Sequence, residues 1–287
     1  MTIPTRTLGP SDLHVSVLGL GGMPMSISGR PDEAQSLAVI HRALDLGVTL
    51  LDTADVYCLD DDDLGHNERL ITKAIATWSG DRSRVLVATK GGLRRPNGAW
   101  TVDAHPTQLR RACERSLRAL QVPRIGLYQL HAVDDRVPIE DSVGELARLR
   151  DEGKIAHIGL SNVDAKEIDR ALAVAPVVSV QNRFHVRDRR AAIDNGALAR
   201  CEQLGLAFLP YSPVGGSRGK ARLAQDVGLQ RIAAKHGASP HEIALAWLLG
   251  LSSALFPIPG ASKVKSIESS VRALTITLDD DDRRALA

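Results

Sequence analysis

The sequence predicts one α/β domain, residues 1–287, folded as a (β/α)8 TIM barrel with a short N-terminal β-hairpin. Short apolar runs typical of strands alternate along the whole chain with segments whose apolar residues recur at helical spacing. Almost every run ends on a polar residue, and no linker-like stretch divides the chain. The length of 287 residues also suits a barrel of this kind.

Eight strands are predicted, and a hairpin precedes the first of them. The hairpin covers residues 6–15 and turns at residues 9–12, and we expect it to plug the bottom of the barrel. The predicted strands cover residues 15–21, 49–52, 85–90, 125–131, 155–161, 177–181, 206–211 and 255–260.

Amphipathic helices are predicted between the strands, the first of them with a start signal at Pro31-Asp32. The predicted helices cover residues 32–46, 67–77, 107–120, 139–151, 164–173, 191–203, 226–236, 240–249 and 264–273. The acidic runs 60–63 and 279–282 are expected to be a solvated loop and a polar tail.

Composition excludes several classes of function. Lys and Arg number 36 against 34 Asp and Glu, so no basic surface is predicted for nucleic acid or a membrane. Cys58, Cys113 and Cys201 are scattered, which predicts reduced thiols, and the histidines show no His-x-His spacing, so we expect no metal site. The longest apolar region, 243–259, is too interrupted to span a bilayer. We expect a cytoplasmic protein and take the monomer as the default state.

The polar strand ends are the strongest indication of function. In a parallel barrel the carboxyl ends of all strands open onto one face, and that face carries the chemistry. We therefore expect one shared active site built from the strand-end residues Asp52, Lys90, His131, Ser161, Gln181, Tyr211 and Gly260.

The glycines of residues 19–24 (GLGGMP) could suggest a dinucleotide fingerprint, but their context does not fit. Pro24 stands at the third glycine position, and several residues separate it from the next predicted helix. A tight turn after the first strand is the better interpretation.

Four residues at three consecutive strand ends predict a general acid. Asp52 ends a buried strand, where its carboxylate needs a cation, and Lys90 ends the neighbouring strand. Lys90 beside Tyr57 should favour the phenolate and lower the tyrosine pKa, while His131 could orient a carbonyl oxygen at the phenol. The alternative for each group alone is a structural ion pair or a core histidine.

The chain resembles the aldo-keto reductase superfamily over nearly its whole length. The motifs that carry the resemblance are 51–57 (LDTADVY), 65–68 (GHNE), 88–92 (ATKGG), 127–131 (LYQLH), 159–162 (GLSN), 180–182 (VQN), 211–213 (YSP) and 258–262 (IPGAS). The resemblance implies that Tyr57 is the proton donor, that Lys90 and Asp52 tune it, and that His131 orients the substrate.

The resemblance also implies an extended nicotinamide cofactor, NADPH in most family members. Ser161, Asn162 and Gln181 would bind the carboxamide, and Tyr211 would stack on the nicotinamide ring. Residues 212–217 are expected to form a loop, and Ser212, Val214, Gly215 and Ser217 in it would contact the pyrophosphate. Gly260, Ser262 and Lys263, with Lys265 a weaker candidate, would contact the adenosine phosphate. The chain has Ser269-Ser270 where the family often has Glu-Asn, which leaves the preference for NADPH over NADH open.

We expect a small-molecule carbonyl substrate, because His131 rather than Glu fits carbonyl reduction by family analogy. The loops 23–30, 58–66 and 91–103 with Trp100 would form an open, permissive site, since the chain ends soon after its last predicted helix. Two alternatives remain: a Schiff-base lyase that uses Lys90, and a cofactor-binding regulatory module, as in the potassium-channel β subunits.

Overall fold

A parallel sheet of seven strands curls into the barrel. The computed structural model describes residues 3–286, apart from the side chains of residues 217 and 218. The barrel strands are β3 (Leu20–Gly21), β4 (Leu50–Asp52), β5 (Leu86–Gly91), β8 (Ile125–Leu130), β9 (Ile155–Ser161), β10 (Ser179–Gln181) and β11 (Ala207–Phe208). Their order in the sheet is β11-β10-β9-β8-β5-β4-β3, and every pair of neighbours is parallel.

Residues 255–260 close the barrel between β11 and β3, but they do not form a regular strand. Isolated parallel bridges join Leu255 to Phe208 and Gly260 to Gly21. Pro257 and Pro259 accept hydrogen bonds from Gly19 and Gly21 at 2.9 and 3.0 Å, yet as prolines they have no N–H to donate in return. The eighth predicted strand is therefore an extended segment. On the side of β3 its two prolines accept hydrogen bonds but cannot donate any.

The predicted N-terminal hairpin is confirmed as β1 (Thr5–Thr7) paired with β2 (His14–Ser16). It takes the residues 15–16 that we assigned to the first barrel strand. Leu8 and Val15 from the hairpin are buried in the cluster that fills the barrel interior. Gly9, with φ +57°, lies so close to β10 and β11 that a Cβ there would be 2.1 Å from the carbonyl oxygen of Val178. The hairpin thus closes the amino-terminal end of the barrel.

Eleven helices are described, and nine of them correspond to predicted ones. They are α1 (Glu33–Asp45), α2 (His66–Thr77), α3 (Pro106–Leu120), α4 (Ile139–Asp151), α5 (Ala165–Leu172), α6 (Ala197–Leu204), α7 (Gly216–Ala224), α8 (Val227–His236), α9 (Pro240–Leu251), α10 (Val264–Arg272) and α11 (Asp280–Leu286). The start signal before α1 is real, because the Asp32 carboxylate accepts a hydrogen bond from Gln35 N at 2.7 Å. No described helix is both long and apolar enough to cross a lipid bilayer.

Two helices contradict the sequence predictions. We expected the acidic run 279–282 to be a polar tail, but α11 begins within it and buries Asp282. Lys235 and His236, at the end of α8, bond that carboxylate at 2.9 and 2.7 Å. We also expected residues 212–217 to continue as a loop, whereas α7 starts at Gly216. The predicted helix 191–203 is shorter as α6, because a wider turn occupies residues 190–194.

Strand pleating decides which side chains enter the barrel. Leu86 and Ala88 of β5 belong to the interior cluster, while Val87 packs with the outer clusters beneath the helices. Successive side chains of a strand point to opposite faces, so Lys90 lies on the inner face and Thr89 on the outer face. A two-residue antiparallel pair, β6 (Leu93–Arg94) with β7 (Thr101–Val102), follows β5.

Candidate active site

Lys90 is the centre of the site at the carboxyl ends of β4 and β5. Its side chain is 0% exposed and donates to Asp52 Oδ2 at 2.7 Å, to the Thr53 carbonyl oxygen at 2.8 Å and to Tyr57 Oη at 3.0 Å. Burial lowers the pKa of Lys90, but Asp52 and Tyr57 outweigh it, so the net pKa is raised. All three donors are used, and the side chain is held as an ammonium.

Tyr57 stands at the end of the loop that follows β4. The loop is fixed by Thr53 N, which bonds the Ala88 carbonyl oxygen at 2.8 Å, and by Tyr57 N, which bonds that of Ala54 at 3.1 Å. Burial raises the pKa of Tyr57, and although Lys90 acts in the opposite direction the net shift is upward. Our expectation of a lowered tyrosine pKa is therefore wrong for this structure, because desolvation outweighs the single cation. The phenol is neutral and carries a proton that it can donate.

His131 completes the predicted group of four. Its ring lies edge-on to that of Tyr57, with centroids 5.8 Å apart. Burial, and then the charge of Lys90, lower the pKa of His131 well below its ordinary value, so the imidazole is neutral. Its Nδ1 is buried without a protein partner. A neutral imidazole beside the phenol can direct a carbonyl oxygen without adding a second positive charge.

Asp52 is held on both carboxylate oxygens. Lys90 binds Oδ2, while Gln181 Nε2 donates to Oδ1 at 2.7 Å and Gln129 Nε2 approaches the same atom at 3.4 Å. Gln129 was not among the predicted site residues. The sequence could have indicated it, because Gln129 is a polar residue in an apolar run and lies two residues before His131, which places both side chains on the inner face.

A cavity of about 570 Å³ opens at this face and is within the range of ligand-binding clefts. Tyr57, His131 and Asp52 lie in its wall. The predicted cofactor contacts that also line it are Ser161, Asn162, Gln181, Tyr211, Ser212, Val214, Gly260 and Ser262. Gly215 instead precedes α7 as its N-cap, Lys263 is exposed at the start of α10 without lining the cavity, and the side chain of Ser217 lies outside the described residues.

Backbone strain accompanies two of the cavity residues. Asn162 and Ser212 have φ of 58° and 51°, in the left-handed region that non-glycine residues rarely adopt. Asn162 is held there by Nδ2, which donates to the His131 carbonyl oxygen at 2.9 Å, and by Tyr211 Oη, which donates to its Oδ1 at 2.8 Å. Such strain persists where the surroundings enforce it, which is typical of ligand-binding sites.

Two cavity residues were missed by the sequence analysis. Lys220 on α7 and Ser266 on α10 both line the cavity. Among the described side chains, Lys220 is one of two charged residues in the cavity wall, and the other, Asp52, is already paired with Lys90. Lys220 was not predicted because we expected a loop at 212–217 and no helix directly after it, and Lys220 lies on that helix, α7.

Ser269 and Ser270, which stand where the family often has Glu-Asn, both form hydrogen bonds within the protein. Ser269 Oγ donates to Glu242 Oε1 at 2.7 Å, and Ser270 Oγ donates to the Ser266 carbonyl oxygen at 3.0 Å. Arg272 also pairs with the buried Glu242. Both hydroxyl protons are therefore used within the protein.

A second buried polar group, here called the outer cluster, lies on the opposite face of β5. It comprises Asp55, Glu68, Thr89, Arg115, Ser116 and Tyr128. Arg115 donates to Asp55 at 2.7 Å and Thr89 to Glu68 at 2.6 Å. Burial raises the pKa of Asp55 to about 6, and burial together with Asp55 raises the pKa of Glu68 to about 7.

Comparisons with known proteins show the family of this chain. The model of the aldo/keto reductase family matches residues 17–287. A protein of Glycine max called probable aldo-keto reductase 1 is 33% identical over 97% of this chain and 86% of its own length.

Solved structures with the same fold include a glycerol dehydrogenase from Gluconobacter oxydans, with a TM-score of 0.84, 27% identity and coverage of 98% of this chain and 93% of that one. An aldo/keto reductase from Klebsiella pneumoniae, solved in complex with NADP and acetate, has a TM-score of 0.81, 27% identity and coverage of 99% and 94%. Because the family model matches most of its residues and the relative from Glycine max is similar over nearly the whole chain, this chain belongs to the aldo/keto reductase family.

Proposed function

We propose that this chain reduces aldehydes or ketones to alcohols with NADPH, and that Tyr57 is the general acid. Family membership already makes it an oxidoreductase that acts on carbonyl compounds and uses a nicotinamide cofactor. The observation that carries the finer proposal is the bond between the buried Lys90 ammonium and the Tyr57 hydroxyl, 3.0 Å long, beside a neutral His131.

The residues divide the work of proton transfer. The cofactor supplies the hydride when it is bound. As negative charge develops on the substrate oxygen, Tyr57 donates its proton to that oxygen, and the Lys90 ammonium stabilises the phenolate that remains. Asp52 keeps Lys90 charged and oriented at 2.7 Å. His131 directs the carbonyl oxygen toward the phenol, and its neutrality leaves the proton of Tyr57 as the one transferred.

The cavity residues fit a nicotinamide cofactor. Gln181 uses its amino group on Asp52, so its Oε1 remains as an acceptor, and Ser161 supplies a hydroxyl beside it. Tyr211 lies in the wall and offers a ring face. The two strained residues of the wall, Asn162 and Ser212, support a ligand site at this place.

The choice of NADPH rests on the cations near the same cavity. Lys220 lines it without a carboxylate partner among the described residues, and Lys263 and Lys265 are exposed at the start of α10. An ammonium and a helix N-terminus both favour phosphate. The relative from Klebsiella pneumoniae was solved with NADP, which supports the same choice.

The geometry disfavours a Schiff-base lyase. A Schiff-base lysine must present a neutral amine to its substrate. Lys90 is fully buried, uses its three donors and has a raised pKa, so it is not available as a nucleophile. A regulatory module would have no need of a proton donor aimed into the cavity beside a neutral histidine.

The first experiment is to follow NADPH absorbance at 340 nm with a panel of aldehydes and ketones. Tyr57→Phe keeps the ring but removes the transferable proton, so kcat should fall by about 10²- to 10⁴-fold. NADPH binding, measured by fluorescence titration, should change less than about twofold, since the hydroxyl is assigned to the chemical step. NADPH binding without turnover by the wild type would favour the regulatory module, and full activity of Tyr57→Phe would remove Tyr57 from the mechanism.

A further inference from the structure

Trp100 forms the wall of the cavity beside the proposed general acid. Its side chain is 47% exposed, and the exposed surface faces the cavity. The indole lies edge-on to the ring of Tyr57, with centroids 6.5 Å apart and an angle of 73°. A large exposed aromatic side chain beside a proton donor is in the place where the body of a substrate would lie.

Arg95 holds this indole from behind. Its guanidinium carbon lies 3.9 Å from the centroid of the Trp100 ring, and the residue is 5% exposed. Nη2 donates to the Leu59 carbonyl oxygen at 2.9 Å, whereas Nε and Nη1 have no hydrogen-bond partner among the described residues. No described carboxylate pairs with the guanidinium, which instead lies over the π face of Trp100 at cation–π distance.

The backbone fixes both residues of the pair. Arg95 N donates to Asp61 Oδ1 at 3.0 Å, which ties the segment after β6 to the loop that follows Tyr57. Trp100 comes directly before β7, whose partner β6 comes directly before Arg95. The indole is therefore held in one orientation before any substrate arrives, and binding does not have to order it.

Apolar side chains form part of the wall around Tyr57. Met23 and Leu93 pack against Tyr57, and Ile27 lines the same cavity. Among the described side chains, the charged residues that line it are Asp52, which is paired with Lys90, and Lys220 on α7, while His131 is neutral. A substrate with several hydroxyl groups would find few partners beside these apolar side chains, and each unpaired polar group would weaken its binding.

We propose that Arg95 and Trp100 form a substrate-selecting pair, in which the buried guanidinium fixes the indole as a wall that favours neutral carbonyl compounds with an aromatic group over hydrophilic hydroxyaldehydes. This inference rests on the proposed function and names the substrate class of the same site.

The test compares kcat/KM for benzaldehyde with kcat/KM for glyceraldehyde, both with NADPH. The wild type should prefer benzaldehyde, and Trp100→Leu should lower the ratio by about tenfold through loss of aromatic contact. Trp100→Phe should restore most of the ratio. Arg95→Met should lower it about threefold, mainly through KM, because the indole is no longer held.

Trp78→Leu is the matched control. The Trp78 indole donates to Asp45 at 2.8 Å, and Trp78 does not line the cavity, so this variant should keep the benzaldehyde-to-glyceraldehyde ratio of the wild type. A wild type that prefers glyceraldehyde, or a Trp100→Leu variant that loses both substrates equally, would overturn the proposal.

Binding of benzyl alcohol, measured by calorimetry with and without NADP⁺, separates the two proposals. Trp100→Leu should bind it about tenfold more weakly than the wild type. If the wild type reduces neither aldehyde but shows this difference, the reductase proposal fails and the selecting pair stands. Equal affinity of the wild type and Trp100→Leu for benzyl alcohol would contradict the proposed role of Arg95 and Trp100, whether or not the protein reduces aldehydes.

Discussion

The two faces of β5 carry two buried polar groups that differ in how completely they are satisfied. On the inner face, Lys90 meets Asp52, the Thr53 carbonyl and Tyr57, and both oxygens of Asp52 are bonded. On the outer face, Arg115 donates to Asp55 and Thr89 donates to Glu68. Buried atoms of several members lack a hydrogen-bond partner among the described residues: Asp55 Oδ1, Glu68 Oε2, Arg115 Nε, Ser116 Oγ and Tyr128 Oη.

The difference shows how a protein can fix or leave open the charge of a buried acid. Asp52 has an ammonium of its own, and the raised pKa of Lys90 keeps that ammonium charged beside the proton donor. Asp55 pairs with Arg115, Glu68 has no ion pair among the described residues, and desolvation raises the pKa of each carboxyl. The inner group is therefore suited to catalysis, while the outer cluster should make stability depend on pH.

The largest effect is expected from removing the cation of each group. Lys90→Met should destabilise the protein by about 3–5 kcal/mol and lower kcat by at least about a hundredfold, because Asp52 and Tyr57 would then lack their buried cation. Arg115→Met should cost about half as much stability at pH 5, because Asp55 can take up a proton there. Equal losses in urea titrations of the two variants would break the distinction between the faces.

The next effect is the pH dependence of stability. Glu68 has a folded pKa of about 7 against an ordinary value of 4.5, so the folded state binds more protons between these values. The contribution of Glu68 to stability should therefore be fully present below pH 4.5 and be lost as the pH rises through about 7. Glu68→Gln should remove about 2–3 kcal/mol of the decline between pH 5 and 8.

Urea unfolding of both proteins at several pH values in that window checks this prediction. Asp282, whose pKa is lowered to about 2 by hydrogen bonds from His236 and Lys235 that outweigh its burial, titrates below the window and should not obscure the result. Parallel curves for the wild type and Glu68→Gln would show that Glu68 ionises normally in the folded protein.

The smallest effect separates two buried helical serines. Ser142 on α4 donates to the Ala104 carbonyl oxygen at 2.8 Å, so Ser142→Ala should cost about 1 kcal/mol. Ser116 Oγ on α3 lies beside Glu68 but makes no hydrogen bond of normal geometry among the described residues, so Ser116→Ala should change stability by less than about 0.5 kcal/mol. A cost for Ser116→Ala as large as that for Ser142→Ala would mean that the outer cluster is hydrogen-bonded in solution.

The sequence predicted the barrel and the inner face of the site, because both follow from local pattern. Apolar runs with polar ends gave the strands, and their parallel order brought Asp52, Lys90 and His131 to one face. Local sequence pattern alone predicted the order of the elements, the hairpin and the residues around the proposed proton donor. Element boundaries were less secure, as the loss of residues 15–16 to the hairpin shows.

What the tertiary structure alone decided depends on contacts between distant segments. The direction of the Tyr57 pKa shift is a balance of burial against one cation, and burial cannot be read from neighbours in sequence. Lys220 reaches the cavity because of α7, Asp282 is buried because of the cations on α8, and Arg95 is unpaired because no carboxylate folds toward it among the described residues. Sequence pattern determines which groups share a face, whereas their charge state and partners are set by packing, since desolvation and hydrogen bonding act only once the chain has folded.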